Sequence, residues 1–399
     1  MDFDILILGA GPGGLSTALH LTQLDPHLAA RMLILEKERH PRPKLCAGGL
    51  VVDVEIILAR LGLDTDEVPH VDASAARFDF EGKGLRITLP KRRALRIIRR
   101  NEFDAWLAKK AQGRGIEIRE QVTVKDVRPD ADGVTVITDQ GEFRAKIVVG
   151  ADGSNGVTRR CVLPKAPVYT ARALELLTPV GQNDIPTDSQ PAGRIANPAY
   201  ASHTADIAYF DFLPIPSNIA GYVWDFPTQV NGQPMRCWGI YDTNILADGK
   251  RPPLKEPLAQ EMARHGFNLG EYEIKGHPIR WFNPSNPMSV PRVLLVGDAA
   301  GADPVFGEGI SPALGYGFFA ARAIQDALSR GDFSFRDYRR RVLRSALGQT
   351  LVARWIIAHF IYTLKWRWFQ FLLWRVFKPF VLLVVWVFVL YWAKRLPSR

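Results

Sequence analysis

The sequence predicts an α/β protein: a Rossmann-type dinucleotide-binding domain, a mostly antiparallel lobe inserted into it, and a C-terminal helical tail. Three observations carry that prediction. Glycine-rich turns follow apolar, strand-like segments near both ends of the chain, at residues 9–14 and 297–309. Between them, residues 166–284 are rich in proline, aromatic side chains and β-type runs. After them, residues 336–399 concentrate bases and tryptophans on apolar helical segments.

Residues 4–8 (DILIL) are a short apolar run of strand type, 12–24 have the spacing of a helix opened by glycines, and 32–35 form a second strand ending at Glu36. This is the βαβ start of a doubly wound sheet. Helical spacing over 102–112 precedes alternating strands near 115–127 and 133–149. In the middle stretch, 207–212 and 220–226 are β-type. After Pro291 the pattern returns to strand (293–296), glycine turn and helix (311–328). The nucleotide domain is therefore expected to be discontinuous. It comprises 1–165, with a short excursion into the substrate lobe near 75–95, and 285–335. The substrate-binding lobe covers 166–284 and the tail 336–399.

At 399 residues, the chain suits two lobes plus an appendage, and 47% hydrophobic with 23% charged residues marks a folded protein. Cys46, Cys161 and Cys237 are widely spaced, which predicts neither a structural disulfide nor a zinc site and fits a reducing compartment. The net charge of +10 is a property of the tail, where thirteen Lys and Arg face one acid, Asp337. The rest of the chain is slightly acidic, so nucleic acid is not an expected partner.

Six of the ten tryptophans also lie in the tail, interleaved with its bases, as the lipid headgroup zone favours. The 15 residues 379–393 are uncharged and apolar. As a helix they would reach roughly 22 Å, short of the roughly 30 Å core of a bilayer. Bases flank this run on both sides, so the charge bias chooses no topology. The tail is expected to hold the protein at the cytoplasmic face of a membrane, with spanning and in-plane insertion both open. Its removal from residue 340 onward is expected to leave the cofactor bound. The first apolar segment runs directly into the glycine turn, so no secretory leader is predicted. No feature sets an oligomeric state.

Gly9-Ala10-Gly11-Pro12-Gly13-Gly14 fits GxGxxG between a strand and a helix. The glycines allow a tight turn, close approach of a pyrophosphate and close helix packing, and the helix N-terminus favours the negative charge. Glu36 ends the following strand, where an acid can bind both ribose hydroxyls. Asp152-Gly153 follows a second apolar strand, and Gly297-Asp298 a third, the latter just before a helix.

Together these elements resemble the FAD-binding set of the hydroxybenzoate-hydroxylase-type flavoproteins over most of residues 1–335. In that resemblance Asp298 accepts a hydrogen bond from a ribityl hydroxyl, and Gly307-Glu308-Gly309 offers backbone N–H groups to the electron-rich edge of the flavin. Arg100, ahead of Phe103-Asp104-Ala105-Trp106-Leu107, is similar to the arginine that this group sends toward FAD. Gly156 stands where the group usually has serine.

Within that group, residues 44–50 (KLCAGGL), 221–227 (GYVWDFP) and 304–310 (PVFGEGI) resemble the geranylgeranyl reductase family. Its YxWxFP motif is present in full; Thr228 replaces a common lysine, and CAGG stands for CGGG. The resemblance implies that FAD is held by Gly9, Gly11, Pro12, Gly13 and Gly14, by Glu36 and Lys37, and by Cys46, Ala47 and Gly48. Arg100, Asp152, Gly153, Gly297, Asp298, Gly307, Gly309 and Ile310 complete that set. On a strand Tyr222, Trp224 and Phe226 share one face and can wall an isoprenoid cavity. Cys46 is a candidate to touch substrate or flavin, or a buried small hydrophobe.

The reaction implied is reduction of an isoprenoid C=C bond, with a hydride from N5 of reduced FAD to one carbon and a proton to the other. No proton donor stands out, and none of the eight histidines, His203 and His277 included, lies in a recognised motif. A second GxGxxG is absent, which fits NADPH or reduced ferredoxin as an external electron donor. The competing readings are a monooxygenase or epoxidase acting on a lipid, a halogenase-like enzyme, whose WxWxIP-like segment Tyr222 and Phe226 depart from, and a membrane-docked flavin electron-transfer protein.

Overall fold

The computed structural model describes residues 2–180, 206–246 and 251–397; His203 and Arg399 lie outside the described residues. The nucleotide lobe is built on an eight-stranded sheet in which Val293–Leu295, Gly141–Gly150, Phe3–Leu8, Met32–Leu35 and Glu117–Arg119 run parallel, side by side. Strands covered on both faces need apolar side chains on both, so Ile5 to Leu8 and Leu33 to Leu35 are continuous apolar runs with almost no exposure. The segment expected as one strand over 133–149 is a hairpin, Val134–Thr138 with Gly141–Gly150, turning at Gly141 with φ +117°. The segment expected over 115–127 is two strands, Glu117–Arg119 and Val124–Pro129, because Gln121 breaks it with φ +61°.

Helices Pro12–Leu24 and Ile310–Arg330 cover one face of this sheet and cross at very short range. A Cβ on Gly317 would lie 2.5 Å from Ser16 Oγ, which donates to the Leu314 carbonyl at 2.8 Å. Only glycine lets the helices approach this closely.

A seven-stranded sheet forms the second lobe, in the order Lys275–Arg280, Thr170–Pro179, Gln233–Asp242, Gly221–Val230, Ile207–Asp211, Ala75–Phe80 and Lys83–Thr88. The excursion near 75–95 contributes its last two strands, and Ala75–Phe80 lies parallel to Ile207–Asp211. The two faces follow the period of two: Val223, Trp238 and Ile240 pack with Leu258 and Met262 of helix Lys255–Arg264, while Tyr222, Trp224, Phe226 and Tyr241 face the nucleotide lobe. A small sheet of Gly49–Leu50, Leu95–Ile98 and His70–Ala73 joins the lobes.

Residues 336–397 do not stand off as an appendage. Leu347, Leu351 and Trp392 join the core of the nucleotide lobe; Ala358, Ile361, Tyr362 and Trp374 join the core behind the aromatic face. Trp374 stacks on Phe212 with ring centroids 4.0 Å apart. Trp392 fills space that only a glycine leaves, since a Cβ on Gly315 would come within 2.6 Å of its ring. Asp53 fastens the chain end by accepting from the backbone N–H groups of Tyr391 (3.0 Å) and Ala393 (2.7 Å). The expectation that removal from residue 340 onward spares the cofactor is therefore revised, because the core is shared. Basic and aromatic composition did not separate buried Trp374 and Trp392 from exposed Trp366, Trp368 and Trp386.

No single helix among the described residues is long and apolar enough to cross a membrane. The pair Arg367–Val376 and Lys378–Arg395 meets length and composition only together, bent by 78°.

This division yields a stability test. Trp392→Ala should destabilise the protein by about 3–5 kcal/mol through loss of a fully buried ring, whereas Trp386→Ala, at a side chain 42% exposed, should change stability by no more than about 0.5 kcal/mol. Denaturant unfolding of the two variants measures the difference.

Candidate functional site

Each glycine of the first turn has a separate task. Gly9 adopts φ +110°, and a Cβ there would meet the Ala151 carbonyl oxygen at 2.5 Å; one on Gly14 would meet the Gly9 carbonyl oxygen at 2.1 Å. These two make the turn. Gly13 lies against the second glycine turn, where its Cβ would be 3.3 Å from the Gly297 nitrogen. Gly11 faces open space, its nearest neighbour being an Arg42 guanidinium nitrogen at 3.6 Å from a Cβ position. The N-terminus of helix Pro12–Leu24 opens into that space without a side-chain cap, which is the setting an anionic pyrophosphate requires.

Glu36 is buried, with Oε2 accepting from the Ala10 N–H at 2.8 Å and Oε1 from the Glu38 N–H at 3.1 Å. It therefore ties the first turn to the second strand and presents its remaining lone pairs to the cleft. Arg100 is held by a two-pronged pairing with Asp104, both contacts at 2.8 Å.

Asp152 Oδ2 accepts from the Thr158 N–H (2.8 Å) and hydroxyl (2.9 Å), while its buried Oδ1 has no partner. The carboxylate lies over Gly156, where a Cβ would be 2.2 Å from Oδ1. Gly156, the departure from the usual serine, is thus required by the way Asp152 folds back. Ser154 donates to Asp298 Oδ2 at 3.2 Å and joins the second motif to the last.

Residues 303–309 are clamped from three sides. The hydroxyls of Tyr241, Tyr362 and Tyr222 donate to the consecutive carbonyls of Pro304 (3.2 Å), Val305 (2.5 Å) and Phe306 (2.6 Å). Arg354, 2% exposed, contacts Asp303 at 3.1 Å, Glu308 at 3.2 Å and the Val389 carbonyl at 2.9 Å. Burial raises the Asp303 carboxyl to about 6, with Arg354 opposing. Two of these holdfasts, Arg354 and Tyr362, come from the tail helix Ala346–Thr363. Sequence reasoning missed both because it read that helix for its outer face.

One cavity of about 690 Å³ runs from the glycine turns to the second lobe. Every residue assigned from sequence to the cofactor lines it except Gly14, which packs beneath the turn: Gly9, Gly11, Pro12, Gly13, Glu36, Lys37, Cys46, Ala47, Gly48, Arg100, Asp152, Gly153, Gly297, Asp298, Gly307, Gly309 and Ile310. Its far wall is apolar, with Tyr222, Trp224 and Phe226 beside Phe78, Phe210 and Phe306. Trp224 packs against Gly239, where a Cβ would be 2.1 Å from the indole.

Between the two ends, the Lys44 ammonium donates to His277 Nε2 at 2.6 Å. Burial, followed by that ammonium, lowers His277 to about 4, and burial also lowers Lys44. The imidazole is therefore neutral at neutral pH. A dinucleotide fits the polar end: there is room above Gly11, an uncapped helix N-terminus, and an unpartnered Asp152 oxygen.

Residues 2–197 match the model of the FAD binding domain family. Among curated proteins, a digeranylgeranylglycerophospholipid reductase of Methanosarcina acetivorans is 28% identical over 358 residues, covering 83% of this chain and 77% of that one. One from Methanosphaera stadtmanae is 26% identical over 351 residues, covering 84% and 80%. Among solved structures, a geranylgeranyl bacteriochlorophyll reductase-like protein of Thermoplasma acidophilum superposes with a TM-score of 0.72 at 23% identity, covering 91% of this chain and 88% of that one.

Two glycines of the first turn separate binding from folding. Gly11→Val should leave the unfolding temperature of the flavin-free protein within a few degrees of wild type while abolishing retained FAD. Gly14→Ala should lower both, because its Cβ strikes backbone. Flavin-to-protein absorbance and thermal unfolding of both variants check this.

Proposed function

We propose that the chain, an FAD-dependent oxidoreductase of the geranylgeranyl reductase family, saturates C=C bonds of an isoprenoid chain carried by a lipid. The observation that carries this reading is the continuity of the cavity: one space is lined both by the glycine turns and by a wall of Tyr222, Trp224, Phe226, Phe78, Phe210 and Phe306. Bound and reduced, FAD supplies the hydride. The chain supplies placement, since an unactivated alkene has no carbonyl to polarise and catalysis must come from orientation and exclusion of water. The aromatic rings are themselves fixed, Phe210 against Phe78 at 4.7 Å and Phe226 against Phe210 at 4.9 Å. They therefore offer a preformed apolar slot. Electrons reach the flavin from outside, from NADPH or reduced ferredoxin, because the sequence holds one dinucleotide fingerprint.

The same reading places the tail at the cytoplasmic face of a membrane. Trp366, Trp368, Phe377, Phe380, Leu383 and Phe388 are all exposed by about half or more. Arg367, well exposed beside its partner Glu81, lies among them, so an anionic headgroup surface is the matching partner. The cavity reaches this region through Val385, Val389 and Leu390, which fits a substrate that partitions into lipid.

Anaerobic incubation of the dithionite-reduced protein with geranylgeranyl diphosphate should yield products heavier by two hydrogens per reduced bond, read by mass spectrometry. Strict dependence on oxygen with an added oxygen atom would establish the monooxygenase reading instead. Trp368→Ser combined with Phe380→Ser should reduce co-sedimentation with anionic phospholipid vesicles and leave FAD content unchanged.

A further inference from the structure

Reduction of an alkene needs a proton as well as a hydride, and the second lobe offers one carboxyl to the cavity. Along strand Thr170–Pro179 the side chains alternate: Leu174 and Leu176 pack toward helix Lys255–Arg264, while Ala173 and Glu175 line the cavity. Glu175 is 5% exposed. It pairs across the sheet with Gly239, the residue against which the Trp224 indole packs, so the carboxyl stands beside the aromatic wall. Its other neighbours are the Cys46 backbone and the Cys237 thiol, both of which act to lower its carboxyl against the effect of burial. Among the described residues of this sheet that line the cavity, Glu175 is the only carboxylic acid.

We propose that Glu175 is the general acid of the reaction, delivering the proton to the alkene carbon that does not receive the hydride. This rests on the reductase reading above. The balance is simple: reduced FAD gives two electrons and one proton as hydride, the Glu175 carboxyl gives the second proton, and the resulting carboxylate takes one back from solvent before the next turnover.

The surroundings suit that role. Burial pushes the Glu175 carboxyl up to about 7, with Arg99 the main opposing charge and Lys275 a smaller one. The two thiols facing it, Cys46 and Cys237, are themselves raised by burial and stay protonated. On the adjacent strand, His277 is neutral and occupied by Lys44. A carboxyl with a raised value is in its acid form below that value and loses the proton as pH rises through it. Alkene reduction should therefore fall above about pH 7.

Glu175→Gln keeps shape and removes the proton. In anaerobic single turnover with geranylgeranyl diphosphate, the variant should retain wild-type FAD content, flavin spectrum and reduction by dithionite. Its reoxidation by the alkene should slow by roughly a hundredfold or more, and the fall in rate above about pH 7 should disappear. Independently of turnover, infrared spectra of the resting protein should contain a carboxylic acid band that titrates near neutral pH and is absent from the variant.

A variant that reoxidises at the wild-type rate, keeps the pH profile, or keeps the band overturns the assignment and leaves the reductase reading intact. Loss of the pH profile in Lys44→Met or His277→Phe, with Glu175→Gln unaffected, would move the proton to that pair and equally overturn it. Failure of the wild type itself to reduce the alkene defeats the reductase reading and this assignment with it.

Discussion

Everything in this molecule is arranged around the contact of two glycine turns far apart in sequence. Gly13 rests on Gly297, and one turn further along its helix Ser16 rests on Gly317 of helix Ile310–Arg330. Because no side chain intervenes, the N-termini of Pro12–Leu24 and Ile310–Arg330 open side by side into one cleft. Helix N-termini carry partial positive charge, and that of Pro12–Leu24, which has no side-chain cap, can favour an anionic cofactor without a cluster of lysines, while at the other Glu308 accepts from the Ser311 N–H at 2.7 Å.

The tail serves that same site from behind. A buried arginine is costly unless its charge is matched, and Arg354 is matched by Asp303 and Glu308 at the two ends of the segment that carries Gly307. Three tyrosine hydroxyls hold the intervening carbonyls, each from a different element. Such a network specifies one conformation of a glycine-containing loop that would otherwise be free. Helix Ala346–Thr363, which leaves Ile356 and Phe360 exposed, thus also holds the 303–309 loop from its inner face, and the two faces obey different constraints.

Much of the nucleotide lobe was legible because its signals are local. GxGxxG, the following acid Glu36 and the strand ahead of Asp298 each depend on neighbours a few residues away, and apolar runs mark parallel strands covered on both faces. The alternation of Tyr222, Trp224 and Phe226 was legible for the same reason, since the period of two follows from backbone geometry. Less legible was Gly156, which from sequence is a missing serine and in three dimensions is the space that the Asp152 carboxylate occupies. Trp392 had the composition of a membrane residue, and its burial against Gly315 depends on a partner helix far back in the chain.

Local chemistry in the chain therefore established the Rossmann-type start, the class of cofactor and the aromatic face of the inserted lobe, because each is written in spacing that survives without long-range contacts. The fold alone placed Arg354 and Tyr362 against the 303–309 loop and Glu175 at the aromatic wall. Those positions depend on how strands and helices distant in sequence pack together, and burial, which sets the charge state of Glu175 and the neutrality of His277, exists only once that packing has excluded water.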